Sequence, residues 1–548
     1  MEQKHQKANG ANGANGANGA NGANGTNKVF GLESAWSHHL RPSDHGVKGR
    51  FEGEVEDLPV FGKIPSQLSG TFYRILVDPF YPPPEENPPI EGDGNVCAFR
   101  IQDGRVDLKI RYVDTERLRL ERHAKKRLFG LYRNPFSHHP CVRAAIDSTA
   151  NTNLVFWAGK LLALKESALP YEIDPNTLET LGYDPFKSPG LTFSAHPKFD
   201  PYTNELVVFG YEAKGLCTDD IVIYTLDKEG KVRDEQWVKS PWLAFIHDCA
   251  ITENFIILVL WPYDADETQM KAGGHHWQYK RDRPATFVVV PRRASSRLPA
   301  GWSPGEYRVY HWEHAMLLHT AGAWEEWDEG ANSVKISMES SRMMYSPFPM
   351  FDAPTEGNPF GDMKADYVRW SIDLSQPTKT KTADPTVIVD LPGEMARIDE
   401  RFQTQSYNNI FLPVIMSNKT SSAPPILPVG LNGYMLVSKS GKHEDKEILF
   451  DPGPNCTVEE PIFIPRSNDA PEGDGWMLGM VHHHDVDGSE LVVLDTRSFE
   501  KPVAVVQLPF KTKGQVHGNW VESGPGTTSL VRTYDKVEVS GLGALSGR

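Results

Sequence analysis

Residues 193–211 read FSAHPKFDPYTNELVVFGY, and this stretch sets the kind of fold to expect. The run at 206–211 is short, β-branched and aromatic, and a Pro-Tyr-Thr-Asn turn cluster precedes it. That is a strand with a turn before it, and His196 sits at its edge. Working outward, runs of the same kind recur at 221–226, 255–260, 286–290, 334–338, 367–372, 386–389, 434–437, 461–464, 490–494 and 503–508. Gly, Pro, Asn and Asp clusters such as Asp451-Pro-Gly-Pro-Asn separate them. Helical periodicity is scarce. The best candidate is 115–132 (TERLRLERHAKKRLFGLY), with Leu118, Leu120 and Leu128 among charges. Many short strands without alternating helices exclude a doubly wound α/β fold and leave a sandwich array or a propeller. No clean short-period repeat exists, so any blades are irregular, with long insertions on one face.

The chain has 548 residues, of which 39% are apolar and 10% aromatic, enough for a large core. Lys plus Arg less Asp plus Glu is 57 − 72 = −15, which argues against nucleic acid or an anionic membrane surface as the main partner. The five cysteines (97, 141, 217, 249, 456) form no Cys-x-x-Cys pair, so neither a disulfide framework nor a structural zinc site is expected. No apolar run reaches the roughly 18 residues of a membrane span, and no signal pattern opens the chain. A cytoplasmic protein without stable membrane insertion is expected; the sequence specifies no oligomeric state. Residues 8–25 are six copies of Ala-Asn-Gly, so 1–28 is expected to be a disordered leader and 29–548 a single domain.

Nineteen histidines make isolated ones uninformative. Four stand at the edges of strand-like segments: His196, His247 in FIHDCAITEN, His319 in LHTAGAWEE and His517 in GQVHGNW. Ligands so far apart in the chain suit a fold that converges on an axis, and four imidazoles favour iron, copper or zinc. The rival clusters read as structure. His482-His483-His484-Asp485 leads into DVDGSE and reads as a solvated hairpin turn, and His311-Trp312-Glu313-His314 as a strand end. His138-His139 and His275-His276 lie in polar stretches and read as exposed.

Longer motifs carry a resemblance. GTFYRILVDPF (70–80), EGDGNVCAFRIQDGRV (91–106), LLALKESALPYEID (161–174), the stretch at 193–211, IHDCAITENFIIL (246–258), GEMARID (393–399), EEPIFIPR (459–466) and LPFKTKGQVHGNW (508–520) occur in this order. Together they resemble the carotenoid cleavage oxygenase superfamily, non-haem iron dioxygenases that cut carbon–carbon double bonds. The resemblance implies an all-β, seven-bladed β-propeller with a cap of loops and short helices over an axial metal. It implies one Fe(II) per chain held by His196, His247, His319 and His517, with O2 as co-substrate. At His319 the family usually has Asn before Ala-aromatic-Glu, where this chain has Gly322; the following Trp324-Glu325-Glu326 favours His319 over His311 or His314. The resemblance also implies outer carboxylates Glu166, Glu394 and Glu460. An imidazole ligand needs its other ring N–H bonded to fix tautomer and tilt.

Lys165, immediately before Glu166, and Tyr132 in FGLYRNPF are similar to the lysine and tyrosine of the branch that cleaves lignostilbene and resveratrol, with isoeugenol-cleaving enzymes as near relatives. The implied partner is a small phenolic alkene whose 4-hydroxyl is gripped by Lys165 and Tyr132, since a phenolate pushes electrons into a conjugated double bond. Phe136, Phe348 and Phe351 are candidate pocket walls, and 125–136 a lid or a membrane-dipping segment. Carotenoid or apocarotenoid cleavage on the same fold, and a non-catalytic binding propeller, are the alternatives. The complete set of four histidines and three glutamates counts against the last.

Overall fold

A computed structural model describes residues 28–29, 32–33 and 51–523, apart from 84–85, 89, 352–363, 417–429 and 441–446. The Ala-Asn-Gly leader lies outside the described residues. The architecture is an all-β propeller with cap-like loops. Among the described residues the strands make seven sheets of three or more strands and one two-stranded pairing, Lys28–Val29 with Leu32–Glu33.

Most sheets are meanders of consecutive strands, as in Lys198–Asp200, Glu205–Tyr211, Asp220–Leu226 and Val232–Lys239. The two middle strands are buried almost throughout, and the last, VRDEQWVK, is mostly exposed. Inner strands have both faces covered by neighbouring sheets. They therefore read as continuous apolar runs rather than as alternation. Each of the short runs expected from the sequence coincides with a strand, with only Pro461 and Leu508 falling one residue outside. Strands at Gly70–Val77, Gly94–Gln102, Arg105–Tyr112, Asn153–Trp157 and Gly475–His483 join them. These were less legible because buried polar residues such as Arg74, Asn95, Asn153 and His483 interrupt their apolar pattern.

Two pairings between chain ends close the ring. Gln515–Glu522 pairs with Gly70–Val77, and Val60–Gly62 pairs with Pro502–Gln507. Closure covers strand edges that would otherwise expose unpaired N–H and C=O groups. Innermost strands abut around the ring: Lys198–Asp200 beside Cys249–Ile251, that strand beside Thr320–Asp328, and Gln515–Glu522 beside Asn153–Trp157.

The cap-like loops carry the few helices. Glu116–Ala124 starts at Thr115, whose side chain accepts from Leu118 N at 3.1 Å. It stops at Lys125, which takes the left-handed conformation. This corrects the expected 115–132 helix. Glu121 Oε1 accepts from Leu128 N (2.7 Å) and Phe129 N (3.0 Å), so Leu128 belongs to the returning loop and packs with Phe129 and Val142. The segment 125–136 is thus folded onto the protein. Phe136 is exposed rather than in a pocket wall. Asn134 ties this loop to a second one through Met270 O and Gly274 O, at 3.1 and 2.6 Å. No helix among the described residues is long and apolar enough to cross a membrane.

Candidate metal centre

The four histidines occupy equivalent places. His196, His247 and His319 each stand just before an innermost strand (Lys198–Asp200, Cys249–Ile251, Thr320–Asp328), and His517 lies in Gln515–Glu522. The ring of strands therefore delivers four distant imidazoles to one point, with one potential ligand atom from each inside a 4.8 Å cluster. The Nε2 atoms of His196 and His247 are 3.0 Å apart, and those of His247 and His319 are 3.2 Å apart.

Carboxylates hold three of the rings from behind. Glu166 Oε2 lies 2.6 Å from His247 Nδ1, Glu394 Oε2 2.5 Å from His319 Nδ1, and Glu460 Oε1 3.1 Å from His517 Nδ1. Each carboxylate is itself fixed. Glu394 accepts from the backbone N–H of His319 and Met395 and from the Ser341 hydroxyl; Glu460 pairs with Arg397 at 3.1 Å. Glu166 accepts from the Tyr132 hydroxyl at 2.8 Å. Burial disfavours the Glu166 anion, but His247 and Lys165 outweigh it and bring the carboxyl down to about 2.

An Nδ1–H donated to a carboxylate leaves the Nε2 lone pair free, so these rings turn lone pairs toward one another. Burial and the adjacent imidazoles hold His196 well below its ordinary value, and burial pushes His517 down to about 4. At His319 burial is outweighed by Glu394, which raises it. His517 Nε2 is buried with no hydrogen-bond partner. Crowded nitrogen lone pairs and an orphaned buried acceptor are unfavourable unless a cation joins them. The donor set thus fits a borderline divalent metal.

Beside this cluster, Tyr132 and Lys165 are buried together. Lys165 Nζ donates to Asn151 Oδ1 at 3.1 Å and stands 4.9 Å from the centre of the Tyr132 ring. Both line one small cavity with Glu91, Arg117 and Thr149. Burial lowers the Lys165 ammonium and, with Glu166, raises the Tyr132 phenol. An apolar wall lies on the side of His247: Trp261 packs 4.8 Å from its ring, and Phe348 packs 6.0 Å from Trp261.

The rival histidines require corrections. His482 and His483 are not in a solvated turn; they end the buried strand Gly475–His483. His482 meets Ser489 and Glu459 at 2.8 and 2.9 Å, and His483 meets Glu490 at 2.9 Å. The turn begins at exposed His484. His138 and His276 are buried rather than exposed, because the half-buried Asp147 (2.9 Å) and the buried Glu212 (3.0 Å) satisfy them. Sequence reasoning passed over Arg133, whose guanidinium pairs with Glu212 and Tyr211 behind Tyr132. It also passed over Arg397, although GEMARID contains it. A buried arginine has no sequence signature apart from its partner.

A closed all-β ring with four inward imidazoles defines a propeller with an axial metal centre. The family model described as retinal pigment epithelial membrane protein matches residues 46–522. The chain is 54% identical to resveratrol cleavage oxygenase 1 of Botryotinia fuckeliana, over 94% of this chain and 92% of the relative. It is 36% identical to isoeugenol monooxygenase of Pseudomonas putida, over 86% and 95%. The crystal structure of the lignostilbene dioxygenase of Pseudomonas brassicacearum superposes with a TM-score of 0.78 at 34% identity, covering 86% of this chain and 96% of that one. The chain belongs to the carotenoid oxygenase family.

Proposed function

We propose that this chain is a non-haem iron dioxygenase that cleaves the alkene of 4-hydroxystilbenes or 4-hydroxyphenylpropenes with O2 to give phenolic aldehydes. Family membership and the 54% identical relative support the reaction class. The observation that carries the substrate class is the buried Lys165–Tyr132 pair, linked to His247 through Glu166.

His196, His247, His319 and His517 would hold Fe(II), one per chain. With only neutral ligands in contact, Glu166, Glu394 and Glu460 balance its charge. When bound, the ion supplies redox activation of dioxygen. The chain's own residues supply the rest. Lys165 has three donor positions, one of which Asn151 takes. Another donates to the substrate's 4-oxygen and stabilises its ionised form. The Tyr132 proton is engaged by Glu166, so its oxygen accepts from the 4-hydroxyl of the neutral substrate, and Lys165 holds the 4-oxygen in the ionised form. The aromatic wall at Trp261 and Phe348 keeps the flat substrate dry and aligned. The substrate provides the electrons, so no external reductant is required; O2 divides between the two carbonyl products.

We further read the seven sheets as seven blades of one domain within 29–548. The two ring-closing pairings support this. A reducing, cytoplasmic setting fits five unpaired cysteines.

The test is product analysis under labelled O2 with resveratrol, isoeugenol and a β-apocarotenal. Phenolic aldehydes bearing one labelled oxygen on each cleaved carbon are expected, whereas turnover of the apocarotenal alone would replace this reading with carotenoid cleavage. Lys165→Met should lower kcat/KM for 4-hydroxy substrates by about 10- to 100-fold, the loss of a charge-assisted hydrogen bond, with metal content unchanged. Unchanged kinetics remove lysine from the mechanism.

A further inference from the structure

One cavity offers a second approach to the metal centre. It has a volume of about 240 Å³, and its floor includes His196, His319 and His517. It excludes His247, Tyr132, Lys165 and the aromatic wall at Trp261 and Phe348. Its rim includes the exposed Glu400 and the half-buried Ala396. The cavity thus runs from the surface to three of the four imidazoles without crossing the pocket assigned to the phenol.

Its lining is mixed, with apolar Phe156, Trp157 and Ile398 beside polar Asp248, Arg397 and Asn519. Glu400 pairs with Arg397 at 2.8 Å, Arg397 with Glu460 at 3.1 Å, and Glu460 with His517 at 3.1 Å. Carboxylates therefore descend from rim to floor, with one guanidinium between them. Gln403 Nε2, Trp520 Nε1 and His517 Nε2, all bordering this space, are buried without hydrogen-bond partners. A space of this size, open to the surface at Glu400 and with polar groups on its wall, has room for water. On the His247 side the buried Trp261 and Phe348 stand against the cluster, and the cavity at Tyr132 and Lys165 is small. Stripping all water from a divalent ion is costly, whereas a hydrated passage with carboxylates along its wall lets waters be exchanged one at a time for protein ligands.

We propose that the metal ion loads the four-histidine centre through this funnel, handed from Glu400 past Arg397 to Glu460 and the imidazoles, while the phenolic substrate uses the separate aromatic side. This inference rests on the metal reading above and assigns the two faces of the centre to different traffic. No bond to carbon is made or broken; the ion exchanges water for imidazole.

The experiment uses the full-length chain stripped with a chelator, with Co(II) as the probe. Uptake is followed by stopped-flow visible absorption, and release by transfer to excess chelator. Ala396→Trp fills the funnel. It should slow uptake and release together by about tenfold or more while leaving the equilibrium Kd for Co(II) within about twofold, as a barrier on a path must. Glu400→Lys, at an exposed site, reverses the charge at the mouth. It should slow uptake by roughly three- to tenfold in low salt, with the effect largely screened at high salt. Saturating 4-hydroxybenzaldehyde, a probe of the substrate side, should leave uptake unchanged. Normal uptake and release in both variants, or uptake blocked by the aldehyde, would overturn the proposal. Failure of the unsubstituted chain to take up Co(II) at all is a different result and overturns the metal reading itself.

Discussion

Glu394 shows how much one carboxylate can organise. It holds His319 Nδ1 at 2.5 Å, receives the backbone N–H of His319 and Met395, and takes the Ser341 hydroxyl, all in full burial. Ring tilt, backbone position and local charge are thus set together. Glu394→Gln keeps the shape but loses the anion, so Co(II) affinity should fall about 10- to 100-fold, as read by equilibrium titration. His196 lacks such a partner among the described carboxylates, so its orientation rests on burial and on its Ser194-anchored backbone N–H (2.9 Å).

At the scale of elements, the strand Thr320–Asp328 explains the departure from family pattern at Gly322. Its pairing with Ser333–Met343 shifts register between Thr320 and Ala323. A Cβ on Gly322 would lie 2.7 Å from a Tyr407 ring carbon and 3.0 Å from an Ile398 methyl. Gly322→Asn should therefore destabilise the protein by about 1–3 kcal/mol through overpacking, measured as a lower urea midpoint at unchanged m-value. A second element-level contact is Glu212, just past the strand Glu205–Tyr211, which meets Arg133 and His276 from the two cap-like loops. Burial opposes its charge, but Arg133 and His276 outweigh burial and bring the carboxyl down from 4.5 to about 2. A depressed carboxyl stabilises the fold fully above its unfolded value and loses that contribution as pH falls through the folded one. Glu212→Gln should cost about 3 kcal/mol near neutral pH, and the difference from the parent should shrink between pH 4.5 and about 2 in chemical denaturation.

For the whole molecule, closure and chemistry share one strand. Gln515–Glu522 covers the inner edge of Gly70–Val77 and also carries His517. Truncation before residue 515 should abolish stoichiometric Co(II) binding and expose a strand edge, producing soluble aggregates visible by size-exclusion chromatography. Substituting His517→Ala alone should weaken metal binding while leaving the elution volume unchanged, which separates the two roles.

The sequence by itself determined the strand-rich class, because inner strands covered on both faces must be apolar runs bounded by turn residues. Its motifs, through the family resemblance they carry, also pointed to the four histidines, the three carboxylates and the Tyr132–Lys165 pair. The tertiary structure alone decided which buried groups meet. His482, His483, His138 and His276 look exposed in the chain because polar neighbours surround them in sequence, yet carboxylates and hydroxyls reach them in space. The helix at 116–124 stops early because Glu121 recaptures the returning backbone, an interaction that periodicity does not encode. The funnel likewise exists only after ring closure, since Lys198, Arg397 and Asn519 come from distant stretches of the chain and share a wall only once the ring is shut.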